Sequence, residues 1–142
     1  MNNDWLFWAM ASAVFAALTA IFAKVGLQRV DSDLATLVRS VVIVFVLLAF
    51  LLYRGKSLSV AGLDAHTWGF LLLSALATGA SWVCYFRALK IGEAAKVSAV
   101  DKFSLVLVAL FAVAFLGERP VPREWLGIAM VAGGVLLLAF KR

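Results

Sequence analysis

Charge is scarce in this sequence. Lys, Arg, Asp and Glu make up 15% of its 142 residues, against about 25% in ordinary soluble domains. That is too little polar side chain to cover a water-facing surface at this length. Cysteine is nearly absent: Cys84 is the only one and lies in an apolar run, which excludes an intrachain disulfide and a Cys-based metal site. His66 is the only histidine, so no His-rich metal site can form, and its place before an apolar stretch makes it a surface residue. Gly-x-Ser-x-Gly, His-Glu-x-x-His and a Gly-rich phosphate loop ending in Lys-Ser or Lys-Thr are all missing. Their absence argues against an ATP-driven pump on this chain, and no cofactor or metal is expected. Ser98 or Ser104 near Lys102 is the one pairing of a nucleophile with a base, too thin a basis for an intramembrane enzyme.

What the chain has in quantity is apolar residues, 65% of the total. A bilayer core of about 30 Å needs about 20 mostly apolar helical residues. Five stretches meet or approach this: 5–25, 34–53, 67–86, 97–116 and 125–140. The last is short, but Trp125 can anchor one interface and Lys141 with Arg142 the other. The stretches are separated by Gly- and Pro-bearing connections, with Asp33 placed to cap the second helix. No basic residue precedes the first stretch, and its apolar run continues past Ala11-Ser12-Ala13, so it reads as a retained span. The pattern predicts an all-α, membrane-embedded bundle of five transmembrane helices forming one domain over 1–142. Small residues at four-residue spacing, such as Ala9, Ala13 and Ala17, or Ala129 and Gly133, permit close helix contact in lipid.

The net charge of +5 would suggest nucleic acid as a partner for a soluble protein, but Lys and Arg gather at the cytoplasmic ends of membrane proteins in any case, and no nucleic-acid partner is expected. An odd number of spans leaves the termini on opposite faces. Arg54, Lys56, Arg119 and Arg123 fall on the N-terminal face, and the other nine basic residues, including Lys24, Arg39 and Lys102, on or just inside the opposite one. The positive-inside rule then puts the C terminus in the cytoplasm and the N terminus outside, in the cell (inner) membrane.

Lys24, Arg39, Asp101 and Lys102 interrupt or border apolar spans near that same face. Charges at mid-membrane cost roughly 2.5–3.5 kcal/mol on insertion scales, so each needs an aqueous cavity, a partner or a route to the headgroups. The cations have long stems that can reach the interface. Asp101 cannot reach far, and an ion pair with another helix is expected for it. Arg39 or Lys24 suits that pair better than Lys102, because helix neighbours point about 100° apart. Thr78, Trp82 and Tyr85 can share one face of the third helix, an amphipathic aromatic surface suited to a small organic solute; an interfacial belt and ordinary packing are the alternatives. Glu118 closes the fourth span beside Gly117, where a capping role or a local pair with Arg119 or Arg123 is expected.

The stretch from Ser81 through Tyr85 to Lys90, then Val97 to Lys102, then Phe115-Leu-Gly-Glu118, resembles the second half of an EamA-type domain. The later glycines Gly127, Gly133 and Gly134 are similar to that family's ending, and Lys24-Val-Gly26 and Arg39 also fit, so the resemblance covers nearly the whole chain. It implies the drug/metabolite transporter superfamily, whose usual members resemble two such units fused in tandem. A unit with an odd number of spans is inverted in its tandem copy, as in inverted-repeat transporters. The resemblance therefore implies a secondary transporter of a small metabolite, completed by a homodimer or by a heterodimer with a second five-span chain. The four-to-nine charge bias favours one orientation of this chain, which suits an oppositely biased partner. The alternative is a non-transporting membrane subunit that binds or stabilises another membrane protein.

Overall fold

A computed structural model describes residues 4–56 and 62–140. All regular structure among them is helical, and five helices are long and apolar enough to cross a bilayer, as the hydrophobic pattern predicts. They are α1 (Asp4–Gly26), α2 (Ser32–Tyr53), α3 (Ala65–Ile91), a fourth span made of α4 (Ala94–Asp101) and α5 (Ser104–Phe111), and α6 (Pro122–Ala139). A π-helical turn at Ala112–Leu116 extends α5 to complete the fourth span.

Side-chain chemistry sets the helix ends. Asp31, with the extended backbone an N-cap requires, accepts from the amides of Asp33 at 2.9 Å and Leu34 at 3.1 Å. This corrects the expectation that Asp33 caps α2: Asp33 is already inside the first turn, which frees its carboxylate for another helix. Asp64 accepts from the Thr67 amide at 3.2 Å at the start of α3, and its hydrogen bonds from Thr67 hold its carboxyl below the usual carboxylate range. Pro122 opens α6 where no amide is needed, while Glu124 Oε2 accepts from the Val121 amide at 2.8 Å. Gly117 ends the fourth span in the left-handed region, φ 68°, which a side chain would strain.

The chain forms two compact units, one of residues 21–90 and one of residues 1–20 with 91–142. In the first unit, Ala23, Leu27, Ser32, Thr36, Phe86 and Leu89 are buried. They come from the end of α1 and the residue just after it, the start of α2 and the end of α3, so the packed core lies at the end of this unit where those segments meet. Farther along, Phe45 is 65% and Phe70 62% exposed. Hydrocarbon is the solvent for such side chains, since a helix satisfies its own backbone groups in lipid. In the second unit α6 packs against α4 and α5. One face of α6 forms a shallow groove of about 720 Å³ lined by Gly133, Leu136, Leu137, Leu138 and Phe140, with no polar side chain to orient a solute.

α3 continues to Ile91, past the span end expected at residue 86. Arg87 and Lys90 therefore stay helical, because both have partners on neighbouring segments.

Candidate functional site

Within residues 21–90, polar contacts tie three helices together. Lys24 on α1 donates from Nζ to the Leu89 carbonyl of α3 at 2.6 Å and reaches the Lys90 carbonyl at 3.5 Å. Lys90 in turn donates to the Val30 carbonyl, in the α1–α2 connection, at 2.8 Å. Arg87 makes a two-pronged pair with Asp33: Nε to Oδ1 at 2.9 Å and Nη2 to Oδ2 at 2.6 Å. The forked geometry fixes orientation as well as distance. On the inner side of α2, Thr36 Oγ1 donates to the Ser32 carbonyl at 2.7 Å and Ser40 Oγ to the Thr36 carbonyl at 2.8 Å, so the hydroxyls add no unsatisfied donor.

Arg39 lies one helical turn beyond the buried Thr36, half-buried. Its guanidinium carbon is 4.4 Å from the centre of the Phe86 ring and 5.2 Å from that of Trp82. Trp82 and Phe86 are four apart on α3 and so present their rings on one helix face. The arrangement is a cation–π cradle, worth about 2 kcal/mol or more when desolvated. Nη1 of Arg39 is buried and has no hydrogen-bond partner. Tyr85 is half-buried and stacks edge-on against Phe86, ring centres 5.8 Å apart. Thr78 is exposed, and its hydroxyl turns back to the Ser74 carbonyl at 2.9 Å. The structure thus brings Arg39 to Trp82, adds Phe86 and Tyr85, and leaves Thr78 engaged with its own helix.

The fourth span is interrupted at Lys102 and Phe103. Amides of Lys102, Phe103, Leu105 and Val106 bond three residues back, to Ala99, Val100, Lys102 and Phe103, at 2.9–3.1 Å. The tighter turn keeps these amides bonded within the span, as a lipid surrounding requires. Asp101 Oδ2 is 3.8 Å from Lys102 Nζ. The two are sequence neighbours at the turn between α4 and α5. In the first turn of α4, Lys96 pairs with Glu93, the residue before the helix, at 2.8 Å. At the span's end the amides of Gly117 and Glu118 return to the Ala112 carbonyl. Among the described residues the Glu118 carboxylate makes no ion pair, so the expected contact with Arg119 or Arg123 is absent; both lie in the extended segment before Val121 or just inside α6. Gly127 and Gly134 lie on α6 with open space where a Cβ would stand.

Sequence reasoning missed Phe86, the Asp33–Arg87 fork and the Leu89 carbonyl. The four-residue step from Trp82 to Phe86 was a usable signal. The fork had none, because the two residues are 54 positions apart and both read as connection.

These features define a multi-pass membrane protein that keeps charged side chains inside or at the edge of apolar helices. The chain belongs to the EamA-like transporter family, whose model matches residues 3–140. It is 54% identical over 139 residues to an uncharacterised transporter in the cobO 3′ region of a Sinorhizobium species, covering 98% of this chain and 99% of that one. It is also 31% identical over 137 residues to an uncharacterised transporter of Vibrio cholerae serotype O1, covering 94% of this chain but 42% of that protein. No solved structure matches significantly. Family and relatives support a membrane transporter of the drug/metabolite superfamily rather than an enzyme.

Proposed function

We propose that the chain is a single five-helix domain that works as a secondary transporter subunit, moving a small polar or amphipathic metabolite by alternating access. The observation that carries this reading is the charge retained in the membrane spans: Arg39 on an aromatic cradle and the Asp101–Lys102 pair at a helix break. Ionisable groups inside spans mark solute or proton pathways more often than structure. Lys24, Arg39 and Lys102 attract a negative group, and Asp101 acts as counter-ion or proton carrier. Thr78, Trp82 and Tyr85 supply the amphipathic face of α3.

The functional unit is a dimer, either of two copies or with a second five-span chain. This chain spans 42% of its Vibrio relative, which leaves that protein length for a second unit, and an odd-span unit is inverted in its copy. The working membrane is the cell (inner) membrane, with the C terminus cytoplasmic.

The test is uptake into proteoliposomes under an imposed proton gradient. Asp101→Asn is expected to remove the pH dependence of flux; full, pH-independent uptake by that variant overturns the proton-carrier role. Crosslinked dimers with no flux of any solute would favour a non-transporting subunit that stabilises a partner.

A further inference from the structure

Arg39 stands about 10 Å along α2 from Ser32 at 1.5 Å per residue, well inside an apolar helix. Its contacts are ring faces, which attract the positive charge but leave the N–H bonds along the guanidinium edge unfilled, and Nη1 is buried without an acceptor. The acids of its own unit are Asp31, Asp33 and Asp64. All three are engaged, Asp33 with Arg87 and the other two with backbone amides. A cation this far along a span calls for a partner, and among the described residues of its unit no acid is left to pair with it.

We infer that Arg39, backed by Trp82 and Phe86, is the binding site for the carboxylate of a small, amphipathic, singly charged organic acid. The inference rests on the transporter reading above and names its substrate class. The rings of Trp82 and Phe86 lie against the guanidinium, and its planar N–H donors, including the buried Nη1 without an acceptor, are those a carboxylate satisfies with two parallel hydrogen bonds. A single negative charge fits the fork of Arg39: Lys24 and Lys90 keep their charge but aim their ammonium donors at carbonyls, and Arg87 is paired with Asp33. The surroundings are otherwise apolar and aromatic, which favours a ligand with an apolar body over a small hydrated anion. An acidic lipid headgroup offers the same oxyanion chemistry, and the test separates the two.

The full chain is reconstituted into nanodiscs of phosphatidylcholine, and binding of radiolabelled benzoate, phenylacetate and indole-3-acetate is measured with benzyl alcohol as neutral competitor. The expected result is saturable binding of at least one carboxylate, not displaced by benzyl alcohol. Arg39→Gln weakens it by about tenfold or more, the scale of a charge-assisted hydrogen bond. Arg39→Lys, which keeps the charge and guards against misfolding of the neutral variant, falls between, because it loses the fork. Equal binding by wild type and both variants overturns the inference, as does no saturable binding of any of the three acids. Loss of binding when phosphatidylglycerol is added also overturns it, in favour of a lipid headgroup. The same preparations are assayed for counterflow. Arg39-dependent binding without flux leaves the inference standing and sinks the transporter reading. Flux of these acids unchanged by Arg39→Gln sinks the inference alone.

Discussion

The meeting point of α1, α2 and α3 and the break in the fourth span both hold charge in an apolar setting, and they hold it differently. At the first, Lys24, Arg87 and Lys90 each have a partner on a separate segment, and Phe86 and Leu89 are buried nearby. At the second, among the described residues, Asp101 and Lys102 pair with each other at 3.8 Å, with the side chains 41% and 62% exposed. Charges locked between helices hold a fold together; an exposed pair beside a turn in a helix can exchange partners. Damage to the contacts of Lys24, Arg87 and Lys90 and to the core beside them should therefore show as lost stability, and damage to the Asp101–Lys102 pair as lost flux.

The largest expected effect breaks that division if it fails. Phe86→Ala should lower stability by about 3 kcal/mol in a denaturation series in detergent, the usual scale for a buried phenylalanine, with Arg39 losing half its cradle. Next, Asp101→Asn should leave the unfolding midpoint within about 0.5 kcal/mol of wild type, as for an exposed group, while changing the pH profile of uptake. A destabilised, normally transporting Asp101→Asn would reverse the assignment. Smaller still, a double-mutant cycle over Asp33→Ala and Arg87→Ala should give a coupling of about 1 kcal/mol or less that shrinks with salt, because both side chains are half exposed.

The smallest effect concerns pH. The Asp64 carboxyl is held below its ordinary value by Thr67, so its stabilising contribution is fully present above that ordinary value, about 3.9. It is lost as pH falls through the lowered folded-state value. Hydrogen exchange at the Thr67 amide should accelerate only in that acid window, and Asp64→Ala should show the faster rate at every pH.

Five apolar runs were legible in the sequence because hydrophobic length is a local property, readable without knowledge of what packs on what. Helix ends were less so. Asp31 and Asp33 are equally good caps by type, and only the backbone at Asp31 decides between them. The break at Lys102 was hidden, since no Gly or Pro marks it and the residues on either side are good helix formers in lipid. Arg39 and Trp82 were both legible as candidates, one as a charge in a span and the other as part of an aromatic face. Their contact was not, because nothing in spacing links residues on different helices.

Lys24 has a consequence for motion. The final carbonyls of any helix lack donors from within it, and one of those in α3, at Leu89, is met by an ammonium belonging to α1. The last turn of α3 is thus tied to the end of α1, and separating the two segments leaves that oxygen without its donor.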